Sequence, residues 1–187
     1  ACSHKSPSAQ LVAGTSKKTS LMTIKLLATI TQTFTALALL VSFSIAHASD
    51  AAPDFTLKSK ESGNLRLEEQ RGNIVMLNSW AAWCGPCRDE LPKMEALYQE
   101  YQDMGFEILA VNVEAEASKA DILLNDIDVS FPVLYDTAGN VSKLYDVNAM
   151  PTTVIIDRKG NKRLTHLGYR AGDENKYEKA LKILMRE

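Results

Sequence analysis

Trp83-Cys84-Gly85-Pro86-Cys87 places two cysteines two residues apart, directly after the apolar run Ile74-Val75-Met76-Leu77. Such a run reads as a strand buried on both faces of a parallel sheet. A helix is predicted to begin within the cysteine segment itself, with Pro86 supplying a backbone angle suited to a first helical turn. A thiol at a helix N-terminus faces unpaired N–H groups and the positive end of the helix dipole, and both favour the reactive thiolate. Cys84 is therefore the expected nucleophile. Cys87, one turn further in, is placed to attack the first sulfur and resolve a mixed disulfide. A bridge across two residues closes too small a loop to stabilise the chain much, so exchange chemistry explains the pair better than a structural staple does.

Outward from the motif, the helix continues through Leu91, Met94, Leu97, Tyr98, Tyr101 and Met104 to a stop at Gly105, with Pro92 expected to kink it. Phe106 to Val113 reads as a second buried strand, Ser118 to Asn125 as a helix, and Phe131 to Tyr135 as a short strand. Val141 to Tyr145 reads as a further helical turn. Thr152 to Asp157 and Lys162 to Leu167 flank an Asp157-Arg158-Lys159-Gly160 turn and form an antiparallel hairpin, and Asp173 to Met185 carries the closing helix. Before the motif, residues 53–70 alternate and turn at a glycine, which predicts an N-terminal hairpin. The sum is an α/β domain with a mixed sheet.

Composition divides the chain. Residues 1–48 hold Lys5, Lys17, Lys18 and Lys25 but no Asp, Glu or Arg, and run through an apolar stretch, Leu26 to Ile45, into Ala46-His47-Ala48. A basic region, an apolar region and a small-x-small site read as a secretory signal cut before Ser49, or as an anchor if it is kept. Met22 is a candidate translation start. Residues 49–187 then form one domain, which carries all the acidic residues and is more negative than the −2 of the whole chain. With no basic cluster, nothing suggests nucleic acid or anionic lipid as a partner. Cys2 lies in the leader, so the domain keeps only the Cys84/Cys87 pair. Tetrahedral zinc wants four ligands, whereas the domain offers two thiols and one distant histidine, His166. No metal site is assigned, although soft thiolates suit Cu(I), which leaves a copper chaperone as an alternative.

Trp80-Ala81-Ala82-Trp83-Cys84-Gly85-Pro86-Cys87, Pro92, Met150-Pro151-Thr152-Thr153 and Gly168 resemble the thioredoxin fold. Pro53-Asp54-Phe55-Thr56-Leu57, Cys87-Arg88-Asp89-Glu90-Leu91-Pro92 and the extra segment between Val113 and Pro151 narrow the resemblance to its TlpA/ResA-like branch. The resemblance covers residues 50–187. It implies a mixed central sheet flanked by helices, an N-terminal hairpin, a central insertion and an exported thiol-disulfide oxidoreductase. It further implies that Cys84 attacks, that Cys87 resolves, and that Pro151 follows a cis peptide bond. It places a glutamate near the active site at Glu90, and Asn78 stands where thioredoxins carry a buried aspartate. Glu90 is accordingly expected to handle the proton of Cys87, against the alternative of a solvated helix glutamate paired with Lys93.

Trp83, Gly85 and Pro86 are expected to shape the face around Cys84. Met150 is expected beside the sulfurs or filling the core, and the backbones of Met150 and Thr152 to hold an extended client as strand edges do. His166 is read as a polar residue of the last hairpin. Gly-Pro between the cysteines resembles reducing members of the superfamily. The implied function is reduction of disulfides in periplasmic or extracytoplasmic clients, apocytochrome c among them. A transmembrane thiol donor resupplies the electrons and no cofactor is needed; a disulfide donor is the alternative direction. A peroxidase reading fails because Ala81 stands three residues before Cys84, where peroxiredoxins need threonine.

Overall fold

The computed structural model describes residues 50–61 and 63–187; the predicted signal or anchor segment, residues 1–48, lies outside them. Seven strands form one sheet. They are β1 (Thr56–Ser59), β2 (Asn64–Arg66), β3 (Ile74–Trp80), β4 (Phe106–Asn112), β5 (Val133–Tyr135), β6 (Thr152–Ile156) and β7 (Lys162–Leu167), in the spatial order β2-β1-β5-β4-β3-β6-β7. Strands β3, β4 and β5 run parallel, while β1 joins β5 and β6 joins β3 in antiparallel fashion. The helices are α1 (Gly85–Tyr101), α2 (Ala117–Leu124), α3 (Asn140–Leu144) and α4 (Glu174–Leu184). Among the described residues, no helix is long and apolar enough to cross a membrane.

Strand β3 lies second from neither edge and is buried along its whole length. Its side chains alternate between two cores, as a pleated strand requires. Ile74, Met76 and Trp80 pack with Leu91 and Met94 of α1 and with Tyr177 and Leu181 of α4. Val75 and Leu77 pack with Phe55, Leu67 and Val141 on the other face. Asn78 shares the parity of Ile74, Met76 and Trp80, so the alternation that builds the core also carries an amide into the face covered by α1 and α4.

Several boundaries differ from expectation for local reasons. Strand β3 continues beyond the apolar run Ile74–Leu77 to Trp80, because β4 accompanies it in register as far as Asn112. Strand β5 begins at Val133; Pro132 before it has no N–H to give a ladder, though its carbonyl accepts from Ala110 at 3.0 Å. Leu67 opens a 3₁₀ turn and does not end the hairpin strand. Helix α1 continues through Pro92 to Tyr101 and tightens into a 3₁₀ turn over Gln102–Met104. That turn rotates Met104 out of the apolar stripe, where it is half exposed. Gly105 stops it in the left-handed region, at φ +79°, and its carbonyl accepts the N–H of Ile74 at the start of β3.

Candidate functional site

The C-terminal end of β3 and the N-terminus of α1 bring Cys84 and Cys87 together as a disulfide. Cys84 is the N-cap residue of α1, in extended backbone conformation, and its sulfur accepts the Cys87 N–H at 3.2 Å. The helix-terminal donor aimed at Sγ is the feature that favours a thiolate there. The two cysteines are not equivalent. Cys84 retains 4% of its surface, whereas Cys87 retains none. Gly85 and Pro86 are exposed, and a Cβ at residue 85 would meet no atom within 4 Å. Trp83 is 70% exposed beside the nucleophile, while Trp80 is wholly buried in the core.

The peptide bond between Met150 and Pro151 is cis. Met150 is half-buried and packs against the core that contains both cysteines, so the two expectations for it coincide. Thr152 corrects the expectation made for it. It lies in β6, an interior strand, opposite Ser79 of β3 on one side and Leu167 of β7 on the other, and its hydroxyl donates to the Ala149 carbonyl at 2.7 Å. The Pro151 carbonyl is likewise occupied, by Gly168 N–H at 2.7 Å. A strand paired on both sides offers no edge for an extended client at Thr152.

Glu90 is 1% exposed on the face of α1 that meets the sheet. Its Oε2 accepts from Asn78 Nδ2 at 2.8 Å; its Oε1 accepts from Tyr177 Oη at 2.8 Å and Thr153 Oγ1 at 3.2 Å. Asn78 Nδ2 also donates to Thr153 Oγ1 at 2.9 Å, closing a ring of donors around the carboxylate. Asn78 Oδ1 is buried with no partner. Burial holds the Glu90 pKa above the ordinary carboxylate value, and the donors from Tyr177, Asn78 and Thr153 offset only part of that rise. The alternative of a solvated glutamate paired with Lys93 is overturned, since Glu90 is buried and its hydrogen-bond partners are neutral. A carboxyl group whose pKa burial raises, one helical turn from a buried thiol, has the character of a proton-exchanging group.

Three features escaped sequence reasoning. Glu114, just past the end of β4, is buried and its Oε2 accepts the Ala82 N–H at 2.8 Å and Asn112 Nδ2 at 3.1 Å, so it holds the loop that leads into Cys84. Its position after a buried parallel strand was the available signal. Tyr177 was legible only as an apolar helix position. His166 is more than a polar hairpin residue: its Nε2 lies 3.0 Å from Asp173 Oδ2, and its ring stands edge-on to Tyr177 at 5.6 Å between centroids. His166 also lines a groove of about 330 Å³ together with Pro86, Met150, Gly168, Arg170 and Lys176.

A sequence model of the AhpC/TSA family matches residues 48–164. That stretch includes Cys84, Cys87, Glu90, Glu114 and Pro151 and stops short of His166, Asp173 and Tyr177. The thiol-disulfide oxidoreductase ResA of Oceanobacillus iheyensis is 42% identical over 115 residues, 59% of this chain and 60% of that protein. The ResA of Halalkalibacterium halodurans is 36% identical over 125 residues, 67% of this chain and 71% of that one. This chain thus spans about 60% of the length of the first of these relatives. Among solved structures, a candidate thiol:disulfide interchange protein DsbE from Chlorobium tepidum is 37% identical with a TM-score of 0.71, over 73% of this chain and 96% of that one. The exposed lipoprotein thioredoxin Etrx1 of Streptococcus pneumoniae is 29% identical with a TM-score of 0.61, over 71% of this chain and all of that one.

Proposed function

The chain belongs to the AhpC/TSA family and has the thioredoxin fold, and from that premise we propose that it is a thiol-disulfide oxidoreductase that reduces disulfides in exported proteins. The observation that carries the reading is the unequal cysteine pair: Cys84 at a helix N-terminus keeps a little of its surface, backed by a wholly buried Cys87 within a turn of a buried carboxyl group.

In the proposed cycle, Cys84 thiolate attacks one sulfur of the client disulfide, and the client's other sulfur leaves as a thiolate. Glu90 takes the proton of Cys87, whose thiolate then attacks Cys84 Sγ and expels the client's remaining sulfur. The client gains two electrons and ends as a dithiol; the chain ends as the Cys84–Cys87 disulfide and is recharged by a thiol donor. The open space over Gly85, and a Met150 main chain with no backbone hydrogen bond among the described residues, leave room for an extended segment against the sulfurs.

The compartment and direction are part of the same proposal. The signal-like segment in residues 1–48 supports export to the periplasm or another extracytoplasmic space, with a membrane tether if it is retained. There the electrons must come through a transmembrane thiol donor. Gly-Pro between the cysteines supports the reducing direction, and apocytochrome c, whose haem-attachment thiols must be free, fits as a client. Ala81, three residues before Cys84, argues against a peroxidase within this family.

The test is the Cys84/Cys87 reduction potential together with capture by Cys87→Ser. A potential near roughly −270 mV and covalent trapping of disulfide-bearing clients are expected; a potential near roughly −120 mV makes the protein a disulfide donor instead. A Cys87→Ser variant that captures no disulfide-bearing client sinks the cycle itself.

A further inference from the structure

We propose that Tyr177, backed by the His166–Asp173 pair, is a positioning residue that aims Glu90 at Cys87 and sets the pH at which the resolving step runs. The inference rests on Glu90 being the proton acceptor in the cycle above.

The geometry singles out Tyr177. It is fully buried, and its hydroxyl makes the shortest contact to Glu90 Oε1, 2.8 Å against 3.2 Å for Thr153. The groups that face Glu90 are Asn78 from β3, Thr153 from β6 and Tyr177 from α4, with His166 of β7 and Tyr169 just beyond it acting through space; Cys87 lies one turn earlier on the same helix. Of these, only Tyr177 ties the carboxyl group to an element outside the matched family region. A donor to a carboxylate stabilises its charged form, so Tyr177 acts against the burial that favours the neutral one.

Tyr177 is itself held from behind. His166 meets its ring edge-on, and Asp173 fixes His166 through Nε2. Asp173 takes Lys176 Nζ at 2.6 Å and the Arg170 N–H at 2.9 Å, and with these partners and His166 its carboxyl stays well below the usual range. An ionised carboxylate only accepts, so His166 Nε2 carries the proton toward Asp173, which sets the ring's orientation against Tyr177. Tyr169 is occupied by Glu174 at 2.8 Å and does not compete for Asp173. The arrangement places the aim of a carboxyl group on α1 under the control of the last helix and the groove wall beside it.

The experiment uses the full chain carrying Cys2→Ser, reduced and mixed with 5,5′-dithiobis(2-nitrobenzoate). Cys84 attacks the reagent and releases one nitrothiobenzoate; Cys87 then resolves the mixed disulfide and releases a second. The first release is an internal reference, and the second reports the resolving step across pH. Tyr177→Phe is expected to move the midpoint of the second release by about one unit to higher pH, the size of one lost hydrogen bond to a carboxylate. His166→Gln is expected to move it the same way by less, and decides the matter should Tyr177→Phe fail to fold. Glu90→Gln is expected to remove the midpoint set by the carboxyl group, leaving a slower second release that rises only as Cys87 loses its proton to solvent at higher pH. If Glu90→Gln acts but neither Tyr177→Phe nor His166→Gln moves the midpoint, the positioning role is overturned and the cycle stands. If Glu90→Gln has no effect, Glu90 is not the proton acceptor and both readings fall.

Discussion

Strand β6 carries a carboxylate cluster at each end, and the two behave oppositely. At its start, Thr153 contributes to the ring of donors around Glu90, which is buried among neutral partners and held above the ordinary carboxylate pKa by that burial. At its finish, Asp157 accepts the N–H groups of Lys159 at 3.0 Å and Asn161 at 2.8 Å, with Arg163 at 3.3 Å. Burial pushes Asp157 up as well, but main-chain and amide donors from Asn161 and the Arg163 guanidinium outweigh it and hold its pKa low. Each carboxylate has several hydrogen bonds, so the number of bonds does not set the sign. What separates them is a cation and a nearby water surface at one end and neither at the other. The turn end favours the charged carboxylate, whereas burial at the cysteine end favours the neutral one.

The largest test of this contrast is Glu90→Gln, expected to slow the resolving step by about 100-fold near neutral pH, read as the decay of a mixed disulfide. The same substitution should change the pH profile of stability. The folded pKa of Glu90 lies above its ordinary 4.5, so its contribution is complete below about that pH and is lost as pH rises through the folded value. Urea midpoints of the oxidised wild-type protein should therefore fall relative to Glu90→Gln as pH rises through that window. If the two track each other at every pH, Glu90 does not titrate above its ordinary value.

Thr153→Val comes next. It takes one donor from Glu90 and one acceptor from Asn78, and is expected to cost about 1–2 kcal/mol in denaturant unfolding while raising the Glu90 pKa further. Asp157→Asn should have the opposite signature at the far end of the strand. The folded pKa of Asp157 lies below its ordinary 3.8, so its contribution is present above that value and is lost as pH falls through the depressed one. The variant is expected to be about 1 kcal/mol less stable at pH 7, with exchange rates unchanged. Equal stability of wild type and variant at pH 7 would remove the turn end from the comparison. The smallest effect belongs to Trp83→Ala: exposed at the rim of the cysteine end, it should change stability by no more than about 0.5 kcal/mol and show itself only in client capture.

Much of this was legible in the sequence, because strand and helix periods and the cysteine spacing are local signals. The C-x-x-C segment, the apolar run of β3, the Asp157–Gly160 turn and the closing helix all announce themselves within a few residues. The surroundings of Glu90 do not. Asn78, Thr153 and Tyr177 are ordinary members of two strands and a helix, and only the packing of four elements makes them neighbours. Thr152 was misjudged for a related reason: the hairpin with β7 covers one side of β6, and whether the other side is free depends on β3, far earlier in the chain, pairing with it, which the residues of β6 cannot show. Glu114 lies two residues past the end of β4, and its bond to Ala82 spans 32 residues of chain.

The distances along the chain within the Glu90 cluster also order its assembly. The bond from Asn78 to Thr153 spans 75 residues, and that from Tyr177 to Glu90 spans 87. Contacts of such separation form late, after the loops they close have been ordered. A chain made from its N-terminus presents both thiols well before the last helix exists to dock on them. On the proposed cycle, the cysteine pair comes together once β3 and α1 meet, while Glu90 lacks its Tyr177 donor until the eleven-residue helix α4 arrives. On that cycle, nascent or C-terminally clipped molecules should be competent to be oxidised yet slow to turn over, which would make the completion of folding the step that switches on turnover.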